Sequence, residues 1–193
     1  MAKIVFIGDS ITKGIDYGGV TATDTFAYKI GIASGYAAAD IVNHGISSDT
    51  SAGVLGRLQQ DVIELSPAVC TVMIGINDWK TGISPIQFCQ NMVSILQQLK
   101  NSGIKPVVLS SVMYRGTNAQ FASWRPYLEG LEDVCAGNGV DFIDVYREFI
   151  YLTYSAGPDA WKLNYVDQTH LTKSGHTTVA NFAMRSCHAS KFI

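Results

Sequence analysis

The chain has 193 residues, 47% of them hydrophobic and 16% charged, which is enough for one substantial core and too little for two comfortable domains. Fourteen Lys and Arg against sixteen Asp and Glu leave a formal net charge of −2 with no run of like charges, so the basic stripe that nucleic acid requires is missing. No apolar stretch approaches the roughly 20 residues that span a bilayer, and Cys70, Cys89, Cys135 and Cys187 are too far apart for a zinc or redox pair and read as buried, reduced thiols.

Residues 1–8 are apolar, but the run is short and leads straight into Asp9, so it reads as a first core strand over 3–8 and not as an export leader. A helix is expected over 24–36, a strand over 40–44 ending in Asn43-His44-Gly45, and a helix over 49–64. The strand at 68–75 is apolar on both faces, as a strand covered by helices on two sides should be. It ends in Gly75-Ile76-Asn77-Asp78. The helix at 84–102 places Ile86, Cys89, Val93, Leu96 and Leu99 on one stripe, and Asn101-Ser102-Gly103 closes it. A strand at 105–112, a helix at 118–137, a strand at 140–144 and a helix at 172–188 complete the chain. Strands alternating with helices predict a parallel five-stranded sheet wrapped by helices. With no linker, repeat or low-complexity stretch, residues 1–193 form a single expected domain.

In open α/β sheets, ligands bind beyond the carboxyl ends of the strands. Strand one ends in Gly8-Asp9-Ser10, where a hydroxyl at the turn into a helix faces the crevice. Serine is a weak nucleophile without a base. Among the four histidines, His170 has the best local company, because Asp167 lies three residues upstream and can hold one ring nitrogen while the other faces the serine. Candidate donors for an oxyanion are the backbone N–H groups of Ser10 and Gly45 and the side-chain amide of Asn77. Singly, each signal has a plainer explanation. A serine after a strand is commonly a helix cap, Asn-Asp is commonly a turn, and His44 and His176 read as partly buried, hydrogen-bonded histidines.

Together, Gly-Asp-Ser-Ile-Thr-Lys-Gly (8–14), Asn-His-Gly (43–45), Gly-Ile-Asn-Asp (75–78) and Asp-Gln-Thr-His-Leu-Thr-Lys-Ser-Gly-His (167–176) resemble the four ordered blocks of the SGNH, or GDSL, hydrolases. The resemblance implies a flavodoxin-like, three-layer α/β/α sandwich and a serine esterase working through an acyl-enzyme. Ser10 would be the nucleophile, His170 the base and later the acid, and Asp167 its orienting carboxylate. Ser10, Gly45 and Asn77 would form the oxyanion hole. Asp9 and Asp78 would support loops. Two positions depart from the family pattern: Ser48 where glycine is frequent, and Gln168 after the acidic residue.

The expected substrate is a short acyl ester, chiefly an O-acetyl group on a small carbohydrate or polysaccharide. Trp79, Tyr114, Trp161 and Tyr165 flank the strand-end loops and suit stacking on sugar rings. Neither a cofactor nor a metal is expected. A lysophospholipase or thioesterase acting on lipid esters is the alternative, against which the polar segment 114–126 argues; a catalytically silent binding module would be expected to lack one of the reactive groups. The expected location is the cytoplasm, or a larger exported or virion protein of which this chain is one domain.

Overall fold

The computed structural model describes residues 2–112, 115–155, 160–185 and 189–193, with the side chains of all of these except Tyr154, Ala160, Trp161 and Ala189. Five strands, β1 (Ile4–Gly8), β2 (Ile41–Gly45), β3 (Val69–Met73), β4 (Lys105–Leu109) and β5 (Asp141–Ile143), pair in parallel in the order β2-β1-β3-β4-β5. β1 and β3 are buried along their whole length and apolar on both faces. The order reverses between β1 and β3, which is where a doubly wound sheet opens a crevice at its carboxyl end. Gly8 stands level with Gly45 on one side and Met73 on the other, so the three strand-end loops leave the sheet at one height.

The helices on the two faces are α2 (Phe26–Ala33) with α9 (Lys173–Ala183), and α3 (Ser51–Asp61), α5 (Pro85–Asn101) and α6 (Asn118–Asn138). Their starts are set locally. The hydroxyls of Thr25, Thr50, Ser84, Thr117 and Thr172 each accept a backbone N–H of the first turn, and Pro85 occupies the position where a missing N–H costs nothing. Cys70, Cys89 and Cys135 are unpaired, and burial pushes the Cys135 thiol up to about 12. Among the described residues, no helix is long and apolar enough to cross a membrane.

The structure trims and adds to the expected elements. The strand expected over 68–75 stops at Met73, and that over 105–112 stops at Leu109, although Ser110 still donates its N–H to Ile143. The helix expected over 24–36 is shortened to Phe26–Ala33 and preceded by a 3-10 helix at Ala22–Asp24, because Thr25 leaves the helical path to cap it. On α5 the stripe is rotated from expectation. Phe88, Met92, Ile95, Leu96 and Leu99 are buried, while Ile86 is 73% exposed beyond the rim of the core. The helix expected to begin at Ser10 is the single turn α1 (Ser10–Lys13), whereas α4 (Ile76–Thr81), α7 (Val145–Ser155) and α8 (Ala160–Asn164) were not expected. The end of the helix expected over 172–188, with Cys187 and His188, falls outside the described residues.

Candidate active site

Ser10 is the first residue of α1, directly beyond β1. Asp9 caps that helix, its Oδ1 accepting the Ile11 N–H at 2.8 Å, and so fixes where the Ser10 hydroxyl emerges. Asp9 is fully buried, and burial pushes its carboxyl up to about 7 against the pull of the Ile11 N–H and of Lys80.

His170 lies in the turn between α8 and α9. The turn is closed by an antiparallel bridge between Tyr165 and Leu171 and by the Val166 N–H donated to the His170 carbonyl at 2.8 Å. Asp167 organises it with both oxygens. Oδ1 accepts the backbone N–H groups of Thr169 (2.7 Å) and His170 (2.8 Å), and Oδ2 lies 2.7 Å from His170 Nδ1. Burial alone would raise the Asp167 carboxyl, but the hydrogen bonds from His170 and Thr169 outweigh it and hold it below the usual carboxylate range. An ionised carboxylate only accepts, so Nδ1 carries the proton and, in the neutral ring, Nε2 presents its lone pair. That nitrogen is 2.9 Å from Ser10 Oγ. Ser10, His170 and Asp167 are therefore joined in one hydrogen-bonded line.

The three candidate oxyanion donors are placed differently. As the first residue of α1, Ser10 has an N–H with no intrahelical acceptor. Asn77, in the first turn of α4, donates from Nδ2 to the Asp49 carbonyl at 2.9 Å, which engages one of its two amide hydrogens. Gly45 donates its N–H to Asn43 Oδ1 at 3.0 Å, so that donor is already engaged. A Cβ on Gly45 would fall 2.0 Å from the Lys13 nitrogen, so the residue lets the end of β2 close on α1. Asp78 pins α4 to α3, accepting the Ser51 N–H at 3.0 Å while Asn91 donates to the Ser51 hydroxyl at 2.8 Å.

The aromatic residues expected around the crevice are not all available to it. Trp79 is half-buried, edge-on to Trp124, and donates its indole N–H to Ser123 Oγ at 2.9 Å. Tyr165 is a correction: it is 3% exposed and packs edge-on against Phe149, because the Tyr165–Leu171 bridge turns its ring into the core. Tyr114 and the side chain of Trp161 lie outside the described residues. His176 is buried and accepts the Phe26 N–H at 3.2 Å, with burial lowering its imidazole to about 4. His44 Nδ1 stands 3.8 Å from Asp61. Among the described residues, no three His, Cys, Asp or Glu side chains group as a metal site. Sequence reasoning missed two neighbours of the line. Lys80 donates to Thr169 Oγ1 at 3.0 Å, and Tyr17 stacks on His170. No local pattern marks either, since both contacts join segments distant in sequence.

The profile of the GDSL-like Lipase/Acylhydrolase family matches residues 6–178. The chain is 26% identical to an acetylxylan esterase of Geobacillus stearothermophilus over 209 aligned positions, covering 95% of this chain and 92% of that protein. It is 41% identical to esterase TesA of Pseudomonas aeruginosa over 69 residues, which are 36% of this chain and only about a third (34%) of that esterase. The crystal structure of Axe2, an acetylxylan esterase from G. stearothermophilus, shares the fold with a TM-score of 0.79 at 20% identity, over 95% of this chain and 93% of that one. LAE5, an alpha/beta hydrolase enzyme from the metagenome of Lake Arreo, shares it with a TM-score of 0.80 at 20% identity, over 100% and 96%. The chain belongs to the GDSL-like lipase/acylhydrolase family and by that membership is a carboxylic ester hydrolase.

Proposed function

We propose that this protein removes short acyl groups, chiefly O-acetyl groups from a carbohydrate, with Ser10 as nucleophile, His170 as base and Asp167 as the carboxylate that orients it. The observation that carries the reading is the continuous line from Ser10 Oγ through His170 to Asp167, at 2.9 and 2.7 Å. In the first half-reaction Ser10 Oγ bonds to the ester carbonyl carbon while its proton passes to His170 Nε2. The imidazolium stands against ionised Asp167, and the tetrahedral oxyanion takes the Ser10 N–H and the second Asn77 amide hydrogen. His170 then gives its proton to the departing alcohol, leaving acetyl on Ser10. In the second half-reaction water loses its proton to His170 and attacks the acyl carbon. Acetate leaves and Ser10 recovers its proton.

The carbohydrate preference is supported by the 26% identity, over 95% of this chain, to a protein named an acetylxylan esterase. The test is kcat/KM for p-nitrophenyl esters from acetate to palmitate, beside acetate release from acetylated xylan. Acetate should be the best acyl group and Ser10→Ala should lose on the order of 10³–10⁶ in turnover together with fluorophosphonate labelling. Higher efficiency on octanoate or palmitate would shift the assignment to lipid esters, and undiminished labelling of Ser10→Ala would remove Ser10 as nucleophile.

A further inference from the structure

The segment between α1 and the 3-10 helix at Ala22–Asp24 folds back over the His170 turn. Its tip is Tyr17, whose ring lies 3.6 Å, centroid to centroid, from the His170 imidazole with only 7° between the planes. Three contacts hold the tip there. Lys13 Nζ pairs with Asp16 at 2.6 Å, the Val20 N–H donates to the Tyr17 carbonyl at 3.0 Å, and Gly18 sits so close to Val166 that a Cβ would fall 2.5 Å from its Cγ2. Tyr17 and His170 are therefore joined by a loop-to-loop contact independent of the Ser10 and Asp167 hydrogen bonds.

The N–H bond and the lone pair through which an imidazole makes such hydrogen bonds, one at each nitrogen, both lie in the plane of the ring. Bonds of that kind resist sliding of the ring in its plane and resist tilting out of it weakly. The His170 side chain is 19% exposed and that of Asp167 is 50% exposed, so water also competes at this end of the line. A flat ring pressed on one face supplies the missing restraint. It also presents π density to a ring that becomes a cation each time Ser10 gives up its proton.

We propose that Tyr17 is a positioning residue for His170, clamping the imidazole in the Ser10–Asp167 plane and favouring its cationic form during acyl transfer; the proposal rests on the reading of Ser10, His170 and Asp167 as the catalytic line. The aromatic ring carries this role and the phenol oxygen does not.

The experiment compares the full-length protein with Tyr17→Phe and Tyr17→Leu on p-nitrophenyl acetate, with melting temperatures and the His170 ring-proton NMR signals recorded for each. Tyr17→Phe should stay within about twofold of the parent. Tyr17→Leu should lose about 10–100-fold in kcat, as small misplacements of a reacting group do, with KM and melting temperature little changed. The His170 ring protons should be shifted upfield by the stacked ring in the parent and in Tyr17→Phe, and not in Tyr17→Leu. A normal kcat in Tyr17→Leu overturns the proposal, as does a raised KM at unchanged kcat. Unshifted His170 protons in the parent protein overturn it too, whatever the stability of the variants. Ser10→Ala separates the two readings: if it is inactive while Tyr17→Leu is normal, only the clamp fails, and if it is active the catalytic line itself is wrong.

Discussion

Asn77 has two amide hydrogens and one visible partner. The bond to the Asp49 carbonyl orients the side chain, and the second hydrogen is the one available to an oxyanion. Asn77→Ala should therefore lower kcat by about 10²–10³ with a small change in KM, as loss of one preorganised donor does. Unchanged kcat would leave the residue as a loop tie to Asp49 and nothing more. At this scale the sequence is most legible where chemistry is local. Asp167 and His170 lie three residues apart and the turn between them is closed by Asp167 itself, so spacing alone brings them together. The Gly45 amide was misleading for the same reason in reverse. Asn43, two residues upstream, captures it, and an asparagine reaching its own backbone leaves no trace in an apolar–polar pattern.

The loop after β2 shows what an element can carry at a cost. Ser48 has φ of +64°, a left-handed conformation that glycine adopts freely and serine does not, which gives a physical reason for glycine being frequent at this position in the family. Ser48→Gly should stabilise the protein by roughly 0.5–1 kcal/mol, the relief of strain being partly offset by the freer unfolded chain. Urea unfolding measures it, and a loss of stability would mean that the hydroxyl makes a contact worth more than the strain. Elements were legible in proportion to their length and period. The five strands were found to within a few residues at each end, but α1 and α4, of four and six residues, are shorter than two turns and show no period. Helix α7, Val-Tyr-Arg-Glu-Phe-Ile-Tyr-Leu-Thr-Tyr-Ser, is rich in aromatic and β-branched residues that favour strands, so packing and not propensity makes it helical.

Across the whole molecule, two buried groups give opposite dependences on pH. An unfolded aspartate loses its proton near 3.8, whereas folded Asp9 keeps it to about 7. Between those values the folded state binds the extra proton, so this group adds stability as pH falls through about 7. An unfolded histidine takes a proton near 6.5, whereas folded His176 refuses it until about 4. Its contribution is complete above 6.5 and is lost as pH falls toward 4. The slopes oppose over that window. Asp9→Asn keeps an oxygen for the Ile11 N–H and removes the titration, so its stability should fall more steeply than the parent's on acidification, by about 1.4 kcal/mol per pH unit. Urea unfolding at intervals between pH 4.5 and 7 tests this, and parallel curves for the two proteins would refute it.

The hydroxyl of Ser10 meets a ring 160 positions later in the chain. The sheet itself is finished at Ile143, before either Asp167 or His170 exists in a growing polypeptide, and the turn that carries them is held by α9 against α2. At about 5–20 residues per second, the ribosome needs on the order of ten seconds to go from Ser10 to His170. Through that interval a nascent chain can build its sheet around Ser10 while the serine has no proton acceptor. On the proposed mechanism, synthesis from the N-terminus keeps the hydrolase silent until α9 has left the ribosome and docked.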